Sequence, residues 1–196
     1  MKAILIGATG LIGRALLHEL LQDDAYSEIK VLTRRATGVE HAKLTEELIN
    51  FYQIKSSIIV LKADVLFSTL GTTIKTAGTK ERQWEIDFDM QFNTAELASK
   101  ARTKKLVLLS SAGANSKSNV FYSRMKGELD EAAKALDFKH VSIIRPSMLA
   151  GKREEFRWVE KIFTPIMYAF SWVPGIRKYR PIKDVIVAKA MINASK

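Results

Sequence analysis

Residues 1–21, MKAILIGATGLIGRALLHELL, carry the pattern from which the rest of the architecture follows. Lys2 to Ile6 is an almost unbroken apolar run, the pattern of a short strand buried on both faces, as parallel sheets require. Gly7, Gly10 and Gly13 then interrupt it. From Leu11 to Leu21 the apolar residues recur at helical spacing, and Ile29 to Thr33 is a second short strand, so the opening predicts a βαβ unit. The glycines fall between the first strand and the first helix, where each has a separate use. Gly7 permits a tight turn, Gly10 lets backbone amides approach an anion closely, and Gly13 allows helix and strand to pack against each other. The positive end of the helix then faces that anion. Glycines at this spacing and place predict a site for the pyrophosphate of a dinucleotide, formed by Gly7, Thr9, Gly10, Leu11, Ile12 and Gly13.

Further along, strands and helices keep alternating. Strands are expected around 48–51, at 65–70, at 106–110 and at 141–144, where a β-branched run stops at Arg145-Pro146. Helices are expected over 82–101, 121–136 and 185–194. This order predicts an α/β fold in which a doubly wound parallel sheet is covered by helices on both faces, the Rossmann arrangement. The length of 196 residues suits a single domain. Residues 151–196 are expected to form a small cap and closing helix, with Trp158, Phe163, Met167, Tyr168, Phe170 and Trp172 crowded over the cleft. The longest apolar stretch there, 162–173, is broken by Pro165 and is shorter than the roughly 20 residues of a membrane span. The cap is the one place where a second copy of the chain or a protein partner is expected to dock.

The chain has no cysteine, which excludes disulfides, thiol nucleophiles and thiolate metal sites and fits a reducing compartment. Its opening apolar run is too short and glycine-rich for a secretory leader, so a cytoplasmic protein is expected. Lysine and arginine number 31 against 21 acidic residues, a formal charge of +10. The excess is spread along the chain without a recognition motif, and neither nucleic-acid binding nor a membrane span is expected. His18, His41 and His140 are isolated in the sequence, and no metal is predicted.

Two further groups of residues bear on chemistry. A protein that prefers NAD carries an acidic residue at the end of the second strand for the ribose hydroxyls. Here Thr33-Arg34-Arg35 stands in that place. Two guanidinium forks suit a 2′-phosphate, so the cofactor expected is NADPH or NADP rather than NAD. Tyr122 and Lys126 are four residues apart, on one face of the predicted helix, and an ammonium near a phenol favours the phenolate and eases proton exchange with a carbonyl or alcohol. Lys126 can also hold the nicotinamide ribose. The strand at 106–110 runs into Ser110-Ser111, at the sheet edge that borders the ligand crevice. A serine hydroxyl there can polarise a carbonyl, and Ser110 and Ser111 both qualify.

These motifs resemble the atypical short-chain dehydrogenase/reductases, in particular the branch of the Tat-interacting protein, near the NmrA-like and epimerase/dehydratase groups. The resemblance spans nearly the whole chain and is carried by six segments. They are GATGLIG from Gly7, TRR from Thr33, STLGTTIKTAG from Ser68, LLSSAGANS from Leu108, FYSRMKGELD from Phe121 and IIRPSMLAGKREEFR from Ile143. It implies a catalytic triad of Ser111, Tyr122 and Lys126, with Ser110 as the alternative serine. It also implies coenzyme contacts from Leu70 and Gly71 after the fourth strand and from Pro146 beside the nicotinamide, besides Tyr122 and Lys126. Arg153, Glu155 and Arg157 match a charged motif of unassigned task. There are departures: Ile86-Asp87 stands where extended members carry an asparagine, and Asn50-Phe51 where relatives carry an acidic residue. The C-terminal part is short for enclosing a nucleotide-sugar.

An NADPH-dependent reductase of a small carbonyl compound is therefore expected first. The alternative is a catalytically weak or inactive protein that senses NADPH and signals to a partner, as the NmrA-like resemblance implies. A sugar epimerase or dehydratase ranks last.

Overall fold

The computed structural model describes residues 1–56, 61–147, 149–150 and 182–196. Its main body is a six-stranded sheet in the order β3-β2-β1-β4-β5-β6, every neighbouring pair parallel. The strands are β1 (Lys2–Ile6), β2 (Glu28–Thr33), β3 (Leu44–Leu48), β4 (Val65–Ser68), β5 (Lys105–Leu109) and β6 (His140–Ile144). The order reverses between β1 and β4, and a doubly wound sheet opens its ligand crevice there, at the carboxyl ends of the strands. The predicted fold class is therefore the observed one.

Alternating side chains of each central strand supply the two faces, because successive Cβ atoms of a strand point to opposite sides. Leu5, Val31, Phe67 and Val107 pack with Ile12, Leu16 and Leu20 of helix α1 (Leu11–Gln22) on one face, joined by Val187 and Met191 from the C-terminal helix, Asp184–Asn193. Ile4, Ile6, Leu66 and Leu106 form the other face. They meet Met90, Ala95, Ala98, Leu129 and Ala133 from helices spanning Met90–Lys100 and Phe121–Lys134. Each large aliphatic side chain buried this way contributes about 1.5–3 kcal/mol of transfer free energy. Tyr26 is fully buried in the core on the α1 face, with its hydroxyl against that of Ser195, which ties the C-terminus to β2's approach.

Between β4 and β5 the chain makes α2 (Ile74–Ala77) and α3 (Lys80–Trp84), each capped by a threonine: Thr73 Oγ1 accepts from the Thr76 amide and Thr79 Oγ1 from the Arg82 amide. One π turn (Glu85–Asp89) then leads without a break into α4 (Met90–Lys100). The helix Phe121–Lys134 is α5 and the helix Asp184–Asn193 is α6. The strand expected at 48–51 lies elsewhere: β3 is Leu44–Leu48, and Phe51–Ser56 forms a 3₁₀ turn. β3, with sequence LTEEL, is an edge strand of half-exposed residues, so it lacks the apolar run that marks the central strands. A short parallel pair, β7 (Leu149–Ala150) with β8 (Ile182–Lys183), brackets the segment expected to form the aromatic cap. That cap, with Arg153, Glu155 and Arg157, lies outside the described residues.

Candidate active site

The glycine turn has the geometry its spacing implies. Gly7 adopts φ +86°, a conformation side chains resist, and a Cβ there would stand 2.6 Å from the Thr69 carbonyl carbon. A Cβ on Gly13 would stand 2.0 Å from Gly7 O, so α1 and the turn are in backbone contact. Gly10 is the N-cap residue, makes no side-chain cap, and accepts the first helical bond from the Arg14 amide at 2.9 Å. The amides of Leu11, Ile12 and Gly13 therefore have no partner within the helix, and the first turn carries no acidic residue. Ile12 sends its side chain into the core and offers the site only its backbone, whereas Thr9 is half-buried and its carbonyl accepts from Arg14 Nε at 3.0 Å. Unpaired amides, a positive helix end and a surface with no Cβ in the way fit a dinucleotide's pyrophosphate.

The flanking elements converge on the same edge. Thr69 follows β4 and binds Ile6 O through both its amide (3.0 Å) and its hydroxyl (2.8 Å), which sets Leu70 and Gly71 beside the Gly7 turn. β2 pairs with β1, Ile6 opposite Leu32, so Thr33, Arg34 and Arg35 leave the sheet next to that turn. Thr33 is buried and its hydroxyl donates to Arg35 O at 2.7 Å; Arg34 and Arg35 are exposed, and neither pairs with a carboxylate among the described residues.

On the far side of the crevice, the loop after β5 carries Ser110 and Ser111. Ser110 is 6% exposed and its hydroxyl has no hydrogen-bond partner among the described residues; Ser111 is half-buried. The Ala112 amide donates to Pro146 O at 3.0 Å, joining this loop to the turn after β6. The loop is also fastened to α5. The Asn115 amide donates to Ser123 O at 2.9 Å, and a Cβ on Gly127 would stand 2.1 Å from the Ser116 nitrogen. On α5 itself, Tyr122 is 39% exposed while Lys126, one turn on, is 3% exposed.

Sequence reasoning missed what holds Lys126. Asp87, 1% exposed and in the middle of the π turn, places Oδ1 3.4 Å from Lys126 Nζ, and its Oδ2 accepts from the Thr72 amide at 2.8 Å. One turn beyond Lys126, buried Asp130 receives Arg145 through Nε (2.9 Å) and Nη2 (2.8 Å). Gly127 carried a signal that went unread, because an isolated glycine within a helical pattern lowers helix stability and so points to a packing reason. The two ion pairs carried none, since Lys126 and Asp87 come from separate crossovers and Asp130 meets Arg145 only once α5 has packed against the end of β6. Among the described residues no cluster of His, Asp and Glu could hold a metal, and no helix is long and apolar enough to cross a membrane.

The chain belongs to the NAD dependent epimerase/dehydratase family, whose model matches residues 3–166. It is 39% identical over 199 residues, 97% of its length and 85% of the other, to "Protein fmp52, mitochondrial" of Emericella nidulans. It is 38% identical over 156 residues to "Protein FMP52, mitochondrial" of Meyerozyma guilliermondii, covering 79% of this chain and 67% of that one. In fold it is similar to MoeE5 solved with UDP-glucose and NAD, at a TM-score of 0.72 and 15% identity over 100% of this chain and 72% of that one. A short-chain dehydrogenase/reductase family oxidoreductase from Burkholderia thailandensis gives a TM-score of 0.70 at 17% identity, covering 100% and 85%. The resemblance to atypical short-chain dehydrogenase/reductases is thus sound at the level of family and fold. The cytoplasmic expectation is corrected: these relatives are named as mitochondrial proteins. Neither observation behind it singled out the cytoplasm, since a short opening run argues only against secretion and a lack of cysteine suits any reducing compartment.

Proposed function

We propose that this protein is an NADPH-dependent reductase of a small carbonyl compound, acting in a single dinucleotide-binding domain. The observation that carries the reading is the placement of the Tyr122–Lys126 turn of α5. It is fastened to the serine loop at the carboxyl edge of the sheet, across the crevice from a glycine turn with unpaired amides. The turn of Gly7, Thr9, Gly10, Leu11, Ile12 and Gly13 would hold the pyrophosphate and Arg34 and Arg35 the 2′-phosphate, with Leu70 and Gly71 beside the glycine turn and Pro146 beside the nicotinamide. When bound, NADPH supplies a hydride for the carbonyl carbon. The Ser111 hydroxyl donates to the carbonyl oxygen and polarises it. Ser111 suits this role better than Ser110, because Ser110 is buried. Tyr122 Oη gives its proton to the same oxygen, completing an alcohol, and the Lys126 ammonium steadies the phenolate left behind. The relatives' names support a mitochondrial setting for this reaction.

NADPH oxidation is followed with a panel of small aldehydes and ketones, with Tyr122→Phe as control. Turnover that falls at least about 100-fold in the variant is expected, the usual weight of a positioned proton donor. One observation favours a second reading, a weakly active NADPH-binding regulator: the Lys126 charge is already compensated by buried Asp87. Tight NADPH binding with no Tyr122-dependent turnover would decide for it.

A further inference from the structure

Lys126 and Asp87 form a buried pair that the triad does not explain. An ammonium that acts on a phenol does so through its unbalanced charge, and here a carboxylate stands 3.4 Å from it, both side chains almost wholly removed from water. The backbone is arranged to deliver that carboxylate. The π turn Glu85–Asp89 carries one residue more than an α-helical turn, with the Met90 amide donating to Glu85 O, and Asp87 is its buried member. The Gln91 side-chain amide donates to Asp87 O at 2.6 Å while its oxygen accepts from Ser68 Oγ at 2.7 Å, which pins the turn to the end of β4. The Thr72 amide holds Oδ2, and Gly71 leaves room beside Oδ1, where a Cβ would stand 3.4 Å away. π turns of this kind occur frequently at functional positions.

Resting on the assignment of Tyr122 as proton donor, we propose that Asp87 is the counter-ion of Lys126 and, through it, sets the pH at which Tyr122 releases its proton. Asp87 acts as a positioning residue. It weakens the pull of the ammonium on the phenol, keeping Tyr122 protonated to higher pH than an uncompensated lysine would allow. Among the described residues most other charged groups on the surrounding elements have partners, and Lys80 lies over the Phe121 ring with its ammonium 5.7 Å from the ring centre. Asp130, one turn along α5, is taken by Arg145 from the end of β6, and Arg124 pairs with Glu128 on the same helix. On the segment that carries Asp87, Arg82 pairs with Glu85, and Asp89 is pushed up by its partial burial and by Glu85. β4 ends in the neutral hydroxyl of Ser68 and β5 is followed by that of Ser110.

The test needs neither coenzyme nor substrate. The phenolate transition of Tyr122 is taken as the difference in ultraviolet absorbance titration between a chain and its Tyr122→Phe counterpart. Asp87→Asn keeps the acceptor for Thr72 and removes the charge. It should lower the transition by about one pH unit or more, as expected for an opposite charge left unshielded. Asp87→Glu should restore it to within about a third of that shift. In a Lys126→Met background Asp87→Asn should no longer lower it. An unchanged transition in Asp87→Asn with Lys126 present overturns the proposal. Where Asp87→Asn does not fold, the unaltered chain labelled at its aspartate carboxyl carbons is titrated by NMR. Asp87 must stay ionised from pH 8 to about pH 5, as a paired carboxylate does, and a protonated Asp87 at neutral pH overturns the proposal equally. Because Tyr122 is read directly, loss of the proposal is distinguishable from failure to find a reducible carbonyl, which would strike the reductase assignment instead.

Discussion

Adding one methyl group at Gly13 and, separately, at Gly10 parts the two uses of the glycine turn. In Gly13→Ala the new Cβ would lie 2.0 Å from Gly7 O, 2.7 Å from Gly7 C and 2.9 Å from Ala8 Cα, all backbone atoms. Real Cβ atoms do not approach within 3.0 Å, so α1 must move by 1.0 Å or more (3.0 − 2.0) relative to the turn. That motion lifts Ile12, Leu16, Leu17 and Leu20 from the sheet, and a gap of 0.5–1 Å already forfeits about a quarter to a half of each dispersion contact. Overpacking of this kind costs roughly 1–3 kcal/mol. Removing a glycine from a helix returns up to about 1 kcal/mol. At the middle of that overpacking range, about 2 kcal/mol, the net is a loss of about 1–2 kcal/mol, or a fall in Tm of about 2–8 °C for a chain of this size. In Gly10→Ala the Cβ meets only Gly7 O, at 3.3 Å, and φ −78°, ψ 171° suits any residue. Stability should change by less than about 0.5 kcal/mol, while NADPH affinity falls more than about 10-fold because the methyl stands where the pyrophosphate must approach. Thermal unfolding and titration calorimetry on both variants read the two effects apart. A Gly13→Ala chain as stable as the parent, or a Gly10→Ala chain with undiminished affinity, would refute the assignment of these roles.

Replacing Arg34 and Arg35 together by alanine should weaken NADPH at least about 10-fold and leave NADH nearly unaffected, as calorimetry with each coenzyme can show; equal losses for both would remove the 2′-phosphate argument. Arg145→Leu leaves the carboxylate of Asp130 buried without its partner, and a fall in unfolding free energy of about 2–4 kcal/mol in urea is expected, below the upper end for fully buried pairs because the Arg145 side chain is 44% exposed. Asp64 is held below its ordinary value of 3.8 first by the hydrogen bond from Lys104 and then by the Lys2 amide. Its folded-state pKa is depressed, so its contribution is present above pH 3.8 and lost as pH falls through the lower folded value. Acid unfolding of Asp64→Asn should show less pH dependence below that point. Tyr26 has the opposite sign: burial raises its hydroxyl above 10.0, so stability should fall as pH rises beyond that value, and Tyr26→Phe should flatten this alkaline loss.

How far the molecule could be read from its sequence differs from element to element. The strand β1, the glycine turn and α1 were legible to within a residue because their determinants are local. The long helix 82–101 was expected as one regular element, but its π turn was not, since one extra residue in a turn leaves no mark on the apolar periodicity. β3 was misplaced by a few residues because an edge strand needs only one partner and a half-buried face.

The order of residues was enough for the parallel α/β architecture, the glycine cradle, the arginine pair after β2 and the tyrosine and lysine one turn apart on α5. The glycine cradle, the arginine pair and the tyrosine and lysine turn depend on neighbours within a few residues, and the architecture follows from the alternation of strands and helices along the chain. Tertiary packing alone brings Asp87 to Lys126 and Arg145 to Asp130, and buries Ser110 while leaving Ser111 half-buried. Burial and charge pairing are set by which crossover each strand takes, and a residue's own neighbours in the chain carry no record of that.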